Sequence, residues 1–129
     1  MPYESELAIA KEAVRKACQL CSAAQAGLVT QDKLDKADKS PVTVADYGAQ
    51  AVVFNLLKQN FPDIPAVGEE DSGDLQKEEN AELLARIVEY AQKTDDSLDQ
   101  AGVLAAIDHG GHSGGPSGRF WTLDPIDGT

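Results

Sequence analysis

The sequence is poor in cysteine, in aromatic side chains and in positive charge. Two cysteines in 129 residues are too few for the disulfide framework of a small secreted domain. Aromatic residues make up only 5% of the chain, and no apolar run is long enough to cross a bilayer. Because 22 acidic residues face 11 basic ones, the net charge is −11, which argues against binding to nucleic acid or to an anionic membrane.

What the chain does contain suits one globular domain that attracts cations. Its hydrophobic content of 42% is sufficient for a modest core over residues 1–129. The N-terminal segment 1–6 is acidic and lacks a signal-peptide pattern. Cys18 and Cys21 are therefore expected to be reduced thiols in a cytoplasmic protein, packed on the apolar face of a helix.

Hydrophobic periodicity predicts four helices and two short strands. The helices are expected at about 5–25, 41–60, 80–93 and 98–107, and the strands at 66–68 and 119–123. Ser5 is the expected N-cap of the first helix, and Gly27 the residue that stops it. Thr43 followed by Asp46 resembles a capping box at the start of the second helix.

The first two helices each carry an apolar stripe. On the first helix the stripe comprises Leu7, Ala10, Val14, Ala17, Cys18 and Cys21, and on the second Ala49, Val52, Val53, Leu56 and Leu57. These spacings predict the faces that pack into the core. The segment 71–79, which is rich in acidic residues, is expected to be a solvated loop.

Carboxylates stand at the edge of three separate elements. Asp46 lies at the start of a helix, Glu69 and Glu70 follow one strand, and Asp124 and Asp127 follow another. Hard cations such as Mg²⁺ prefer oxygen ligands, and paired ions of this kind can hold a phosphate ester and activate water. The sequence therefore predicts a Mg²⁺ site if the three segments converge.

Each segment alone also has an ordinary explanation. Glu69 and Glu70 fit a solvated loop, and Asp46 fits a helix cap. The hexapeptide D-P-I-D-G-T at 124–129 fits a type I turn stabilised by an aspartate side chain, although such a turn does not need all six residues. Convergence in space is what separates these readings from a metal site.

Taken together, three motifs resemble a known superfamily. They are S-P-V-T-V-A-D-Y at 40–47, V-G-E-E-D at 67–71 and G-R-F-W-T-L-D-P-I-D-G-T at 118–129. The chain resembles the lithium-sensitive, Mg²⁺-dependent phosphatases, which include the inositol monophosphatases. Within them it is most similar to the 3′(2′),5′-bisphosphate nucleotidases, particularly the fungal type. The resemblance implies an α/β (α+β) fold, of which residues 1–129 form the N-terminal, metal-binding portion of a layered α-β-α-β-α sandwich.

The resemblance also implies a set of metal ligands. Glu69 corresponds to a carboxylate ligand, and Asp124 to a carboxylate shared between ions. The carbonyl of Ile126 would complete the first site, and Asp127 would bind the second ion. Mg²⁺ is the implied cofactor, and lithium would inhibit by occupying one of its sites.

Three further residues correspond to groups that handle water. Asp46 matches the residue that holds metal-bound water, Thr129 supplies a hydroxyl that orients the attacking water, and Glu70 serves the same network. The implied reaction is in-line attack on a phosphomonoester without a covalent intermediate. The implied substrate is adenosine 3′,5′-bisphosphate, which would yield AMP, with its sulfated analogue PAPS as a second substrate.

The chain departs from the family pattern in length. The family draws another ligand aspartate and its nucleotide pocket from a C-terminal half. The chain is therefore expected to be a fragment or one piece of a cleaved enzyme, and in the second case a companion C-terminal polypeptide is expected. Two alternatives remain open at this stage. One is an inositol phosphate phosphatase, and the other is a non-catalytic acidic module that binds cations or a protein.

Overall fold

The computed structural model describes residues 3–32, 41–115 and 118–126, with no account of the side chains of 28–32 and 41. Four helices form: α1 (Glu4–Asp32), α2 (Pro41–Asn60), α3 (Ala81–Thr94) and α4 (Gln100–Asp108). Two short strands, β1 (Ala66–Val67) and β2 (Trp121–Thr122), complete the structure with two single turns of 3₁₀-helix at Asp74–Gln76 and Glu78–Asn80. The expected mixture of four helices with two strands is confirmed.

Helix α2 is the centre of the molecule. Helices α1, α3 and α4 all pack against it, so it is buried on nearly every side rather than along one stripe. Its fully or almost fully buried residues are Val44, Ala45, Ala49, Gln50, Ala51, Val52, Val53, Phe54 and Leu57. The expected stripe is part of this set, but Leu56 is only partly buried. A central helix of this kind can present side chains to several neighbours at once.

The core-facing side of α1 differs from the expected one. Leu7 and Val14 are 55% and 52% exposed, and Cys18 is exposed, whereas Cys21 is partly buried against the core. The residues that are buried instead are Ala13, Leu20 and Ala24. Two of these are alanines, whose small side chains allow α2 to approach closely. The prediction of a buried stripe through Leu7, Val14 and Cys18 was therefore wrong, because hydrophobicity alone does not distinguish two apolar faces of one helix.

Both expected ends of α1 were also wrong. The helix begins at Glu4, and the backbone carbonyl of Tyr3 accepts the hydrogen bond from the Leu7 amide, so Ser5 lies inside the first turn and is not the N-cap. Gly27 does not stop the helix, which continues to Asp32. Gly27 instead leaves room for α3, because a Cβ atom at this position would collide with the hydroxyl group of the buried Tyr90.

The start of α2 corrects the assignment of Asp46 as a cap. The helix begins at Pro41, a residue that suits the first helical position because it needs no hydrogen-bond donor there. Thr43 is therefore already inside the helix, and the expected capping box is not at the helix start. Asp46 lies in the second turn, where it is only 8% exposed. A buried carboxylate at this place needs another explanation than capping.

The two strands pair in parallel, with Ala66 opposite Trp121 and Val67 opposite Thr122. Helices α3 and α4 form the crossover between them. On its other side, β1 contacts the glycine-rich segment through an antiparallel bridge from Val67 to Gly111. A second core cluster, built on Phe54 and Leu57 of α2, packs beneath this sheet. The sheet is thus fixed to the central helix.

The segment 71–79 is more ordered than a solvated loop. Ser72 and Leu75 are buried, at 2% and 1% exposure, and Leu75 lies within the first of the two 3₁₀ turns. The acidic side chains of the segment remain exposed, as expected. Among the described residues, no helix combines the length and the apolar character that a membrane crossing would need.

The packing of Gly27 on Tyr90 predicts that Gly27→Ala lowers the free energy of unfolding when Tyr90 is present and raises it when Tyr90 is replaced by phenylalanine. Gly27→Ala alone should destabilise the chain by about 1–2 kcal/mol, because the new methyl group meets the tyrosine hydroxyl in a tightly packed site. In a Tyr90→Phe background the same substitution should stabilise the chain by about 0.5–1 kcal/mol, since alanine favours a helix over glycine. Urea unfolding of the four chains measures both effects. Equal effects of Gly27→Ala in both backgrounds would contradict this contact.

Candidate metal centre

The parallel register brings the ends of both strands to one edge of the sheet. The Leu123 amide donates to the Val67 carbonyl at 3.1 Å, which extends the pairing just beyond the strands. As a result, Glu69 and Asp124 line the same open cleft. The cleft is completed by Val67, Gly68, Thr122 and Leu123 and has a volume of about 330 Å³. Two carboxylates that are 55 positions apart in sequence therefore face one space.

Helix α2 supplies a third carboxylate to the same region. One carboxylate oxygen from each of Asp46, Glu69 and Glu70 lies within 4.8 Å of the others. Asp46 is buried, Glu70 is partly buried and Glu69 is exposed, so the cluster runs from the protein interior to solvent. Two of the three acidic segments, those of Asp46 and of Glu69 and Glu70, therefore meet in one cluster.

The cluster is electrostatically unfavourable by itself. Burial raises the pKa of Glu70, and the nearby carboxylates of Asp46, Glu69 and Asp71 raise it further. Burial also raises the pKa of Tyr47, and the surrounding acidic groups act in the same direction. A divalent cation would relieve this repulsion, because its positive charge favours the ionised form of each ligand.

The chemistry of the donors fits a hard cation. All three side chains of the cluster are carboxylates, and neither cysteine nor histidine belongs to it. Oxygen donors alone suit Mg²⁺, Mn²⁺ or Ca²⁺ better than Zn²⁺, which usually takes nitrogen or sulfur ligands. Asp46, Glu69 and Glu70 are thus able to hold a divalent ion.

The remaining expected site residues are at the end of the described chain. Asp124 is exposed in the cleft, and Ile126 packs partly buried against the larger core cluster. Asp127 and Thr129 lie outside the described residues, so their roles stay predictions. The structure brings Asp46, Glu69 and Glu70 into one cluster, and Asp124 lines the same cleft as Glu69.

Sequence reasoning missed Asp108, which holds the segment behind the acidic pair. Its carboxylate accepts hydrogen bonds from the Ser72 amide at 2.8 Å and from the Ser72 hydroxyl at 2.5 Å. Gln76 donates to the same hydroxyl at 3.0 Å. Asp108 ends α4 within an ordinary helical pattern, and no local signal distinguishes it from a solvated aspartate.

Four helices with a parallel strand pair, and a cluster of Asp46, Glu69 and Glu70 beside that pair, define an α/β protein with an acidic cluster that suits a cation. Comparison with protein-family models places the chain more narrowly. The model of the inositol monophosphatase family matches residues 3–129, and the chain belongs to that family.

Curated relatives match along almost the whole chain. A rice 3′(2′),5′-bisphosphate nucleotidase is 48% identical over an alignment of 138 positions that covers 99% of this chain. The 3′(2′),5′-bisphosphate nucleotidase 1 of Arabidopsis thaliana is 46% identical over 139 aligned positions. A Schizosaccharomyces pombe 3′(2′),5′-bisphosphate nucleotidase is 40% identical over 143 aligned positions, and both of these alignments cover 100% of the chain. The chain spans 38%, 39% and 40% of the lengths of these three relatives.

The cluster predicts that its buried carboxylate contributes to cation binding. Asp46→Asn should weaken Mg²⁺ binding about tenfold or more, because it removes a charged donor from the protected end of the cluster. Glu79→Gln serves as the matched control, since Glu79 is exposed and outside the cluster. Calorimetric titration measures both variants. Equal Mg²⁺ affinity in the two variants would show that the cluster is not the binding site.

The raised pKa of Glu70 predicts a pH-dependent effect of Glu70→Gln in the absence of metal. A pKa that is higher in the folded chain than in the unfolded one means that the contribution of Glu70 to stability is largest in acid and is lost as the pH rises through its folded pKa. Glu70→Gln should therefore raise the Tm at pH 7 by about 2–4 °C and leave it nearly unchanged near pH 4.

Thermal unfolding in the presence of a chelator measures this difference. Added Mg²⁺ should reverse the order at pH 7, because the unsubstituted chain binds the ion more tightly and is stabilised by it. A Tm gain of the same size at both pH values would disprove the electrostatic origin.

Proposed function

We propose that the protein is a Mg²⁺-dependent phosphomonoesterase that removes the 3′ (or 2′) phosphate of adenosine 3′,5′-bisphosphate. The observation that carries the proposal is the meeting of Asp46, Glu69 and Glu70 within 4.8 Å, beside a cleft that Asp124 also lines. The relatives that match this chain are named 3′(2′),5′-bisphosphate nucleotidases, which supplies the substrate class. PAPS, the sulfated analogue, is a second candidate substrate, and lithium is a candidate inhibitor.

The net charge of the chain makes a cation necessary for this substrate. With a charge of −11, the protein surface repels a nucleotide that carries two phosphates. When bound, Mg²⁺ supplies positive charge that holds a phosphate and makes a nearby water more acidic. Such an ion must be held by the protein at the place where the phosphate arrives.

The residues of the chain have separate tasks in this proposal. Glu69 and Asp124, which line the same cleft, would hold the ions where the phosphate enters. Asp46 is buried and fixed on a rigid helix, so it can keep a water molecule oriented and accept a hydrogen bond from it. Glu70 belongs to the same cluster as Asp46 and Glu69, and its proposed task is to serve the same water network.

Three further residues belong to the proposal on the resemblance alone. The Ile126 carbonyl and the Asp127 carboxylate would complete the two ion sites, and the Thr129 hydroxyl would orient the attacking water. The sequence D-P-I-D-G-T at 124–129 carries these oxygens close together along the chain, shortly after the strand β2 that borders the cleft.

Residues 1–129 are proposed to be the N-terminal metal-binding portion of the enzyme. The relatives are more than twice as long, and the pocket for the adenine and ribose is proposed to come from the part of the family outside this match. The comparisons give no support to a separate companion polypeptide. Cys18 and Cys21 are both free thiols, which supports a reducing compartment such as the cytoplasm.

A substrate panel on the full-length natural protein tests the proposal. Phosphate release from adenosine 3′,5′-bisphosphate should require Mg²⁺ and exceed release from inositol 1-phosphate. Asp124→Asn should reduce the rate about 100-fold or more, because the charge that stabilises the reacting phosphate is lost. Asp96→Asn is the matched control, as Asp96 is exposed and far along the chain from the cleft residues. A preference for the inositol phosphate would replace the proposed substrate, and binding of Mg²⁺ without any hydrolysis would favour a non-catalytic module.

A further inference from the structure

A glutamine side chain is completely buried next to the acidic cluster. Gln50 of α2 is 0% exposed, and its amide forms three hydrogen bonds to backbone atoms. Its nitrogen donates to the Glu70 carbonyl at 2.8 Å and to the Ile107 carbonyl at 2.9 Å. Its oxygen accepts from the Glu70 amide at 3.0 Å. Every hydrogen bond of this side chain therefore fixes backbone, and two of the three fix Glu70.

The amide of Gln50 acts on Glu70 as a neighbouring strand would. In an antiparallel ladder, two opposed residues exchange one N–H and one C=O each. Gln50 offers the same pair of partners from a side chain, just beyond the point where β1 ends at Val67. An amide can do this because it carries a donor and an acceptor together, which an ionised carboxylate or an ammonium group cannot.

A glycine makes this approach possible. A Cβ atom at Gly68 would lie 2.7 Å from the Cδ and the Nε2 of Gln50, and equally close to Phe54. Since real Cβ atoms do not approach other heavy atoms so closely, any larger residue at Gly68 would push the amide away. The Gly68 amide itself donates to the Gly110 carbonyl at 2.9 Å, which holds the segment from its other side.

The helical repeat connects Gln50 with the cluster. Asp46 and Gln50 are four residues apart on α2 and therefore share one face, one turn above the other. Asp46 contributes one carboxylate, and Gln50, one turn later, holds the backbone of the segment that carries Glu69 and Glu70. The separation between Asp46 and the pair Glu69–Glu70 is thus set by one rigid helix.

We propose that Gln50 is a positioning residue of the metal site: its amide fixes the Glu70 backbone so that the carboxylates of Glu69 and Glu70 are held opposite Asp46. This inference rests on the proposed role of the cluster in binding Mg²⁺. It concerns cation affinity, and it does not depend on which phosphate ester is hydrolysed. Gln50 touches neither the substrate nor the ion, and it acts only through the segment that it holds.

Gln50→Met tests the proposal, because methionine has a similar length and removes all three hydrogen bonds. Affinity for Mn²⁺, measured on the full chain from the electron paramagnetic resonance signal of the free ion, should fall about tenfold or more. Hydrogen exchange at the Glu70 amide should accelerate by a similar factor, while the Ser72 amide, held by Asp108, keeps its protection.

Asn55→Leu is the control for loss of a hydrogen-bonded amide, although Asn55 is only partly buried. Asn55 lies on the same helix, and its side-chain nitrogen donates to the Asp95 carboxylate at 3.1 Å. Asp95 is not part of the acidic cluster. This variant should lose stability but keep Mn²⁺ affinity within about twofold of the unsubstituted chain. A merely structural role of Gln50 would make the two variants alike.

The possible outcomes separate this proposal from the proposed function. Unchanged Mn²⁺ affinity or unchanged Glu70 exchange in a folded Gln50→Met chain would overturn it, as would an equal loss of affinity in Asn55→Leu. Absence of Mn²⁺ binding to the unsubstituted chain would overturn it together with the metal site. Failure of the full-length protein to hydrolyse any phosphomonoester, with the Mn²⁺ results as expected, would overturn only the function.

Discussion

The parallel pairing of two very short strands is the constraint on which the candidate site depends. Only two residues of β1 and two of β2 form the ladder, yet their register determines that Glu69 and Asp124 face one cleft. So short a pair has little stability by itself. Its position depends on Phe54 and Leu57 of α2 beneath it, and on the glycine-rich segment that pairs with the other side of β1. The core therefore decides where the carboxylates stand.

The acidic cluster opposes folding in the absence of a cation. Like charges within a few ångströms repel each other, and partial burial of Glu70 adds to the cost of charging it, so that its pKa is raised. The backbone around the cluster is correspondingly well held: Gln50 binds Glu70, and Asp108 binds Ser72 two residues later. A rigid frame keeps repelling groups together, so that little reorganisation is required when an ion binds.

Part of the fold and the site was predictable from local patterns. Proline after Phe61 indicated the end of α2, and the runs 66–68 and 119–123 indicated the strands. The exposed face of α1 was not predictable, because Leu7 and Val14 have the hydrophobicity of core residues and only the position of α2 leaves them outside. Gly27 indicated a helix end, but the helix continues through it. A glycine fits there because the hydroxyl group of Tyr90, 63 positions away in sequence, leaves no space for a side chain.

The sequence by itself determined which oxygen donors are available and at which element ends they stand, since strand and helix boundaries are local properties of residue order. It also carried the motifs by which the family membership could be expected. Only the tertiary structure decided that Asp46 is buried one turn inside a central helix, that it meets Glu69 and Glu70, and that Gln50 and Asp108 hold the intervening segment. The physical reason is that these contacts join residues 20 to 36 positions apart, and packing against α2, rather than any local preference, selects their partners.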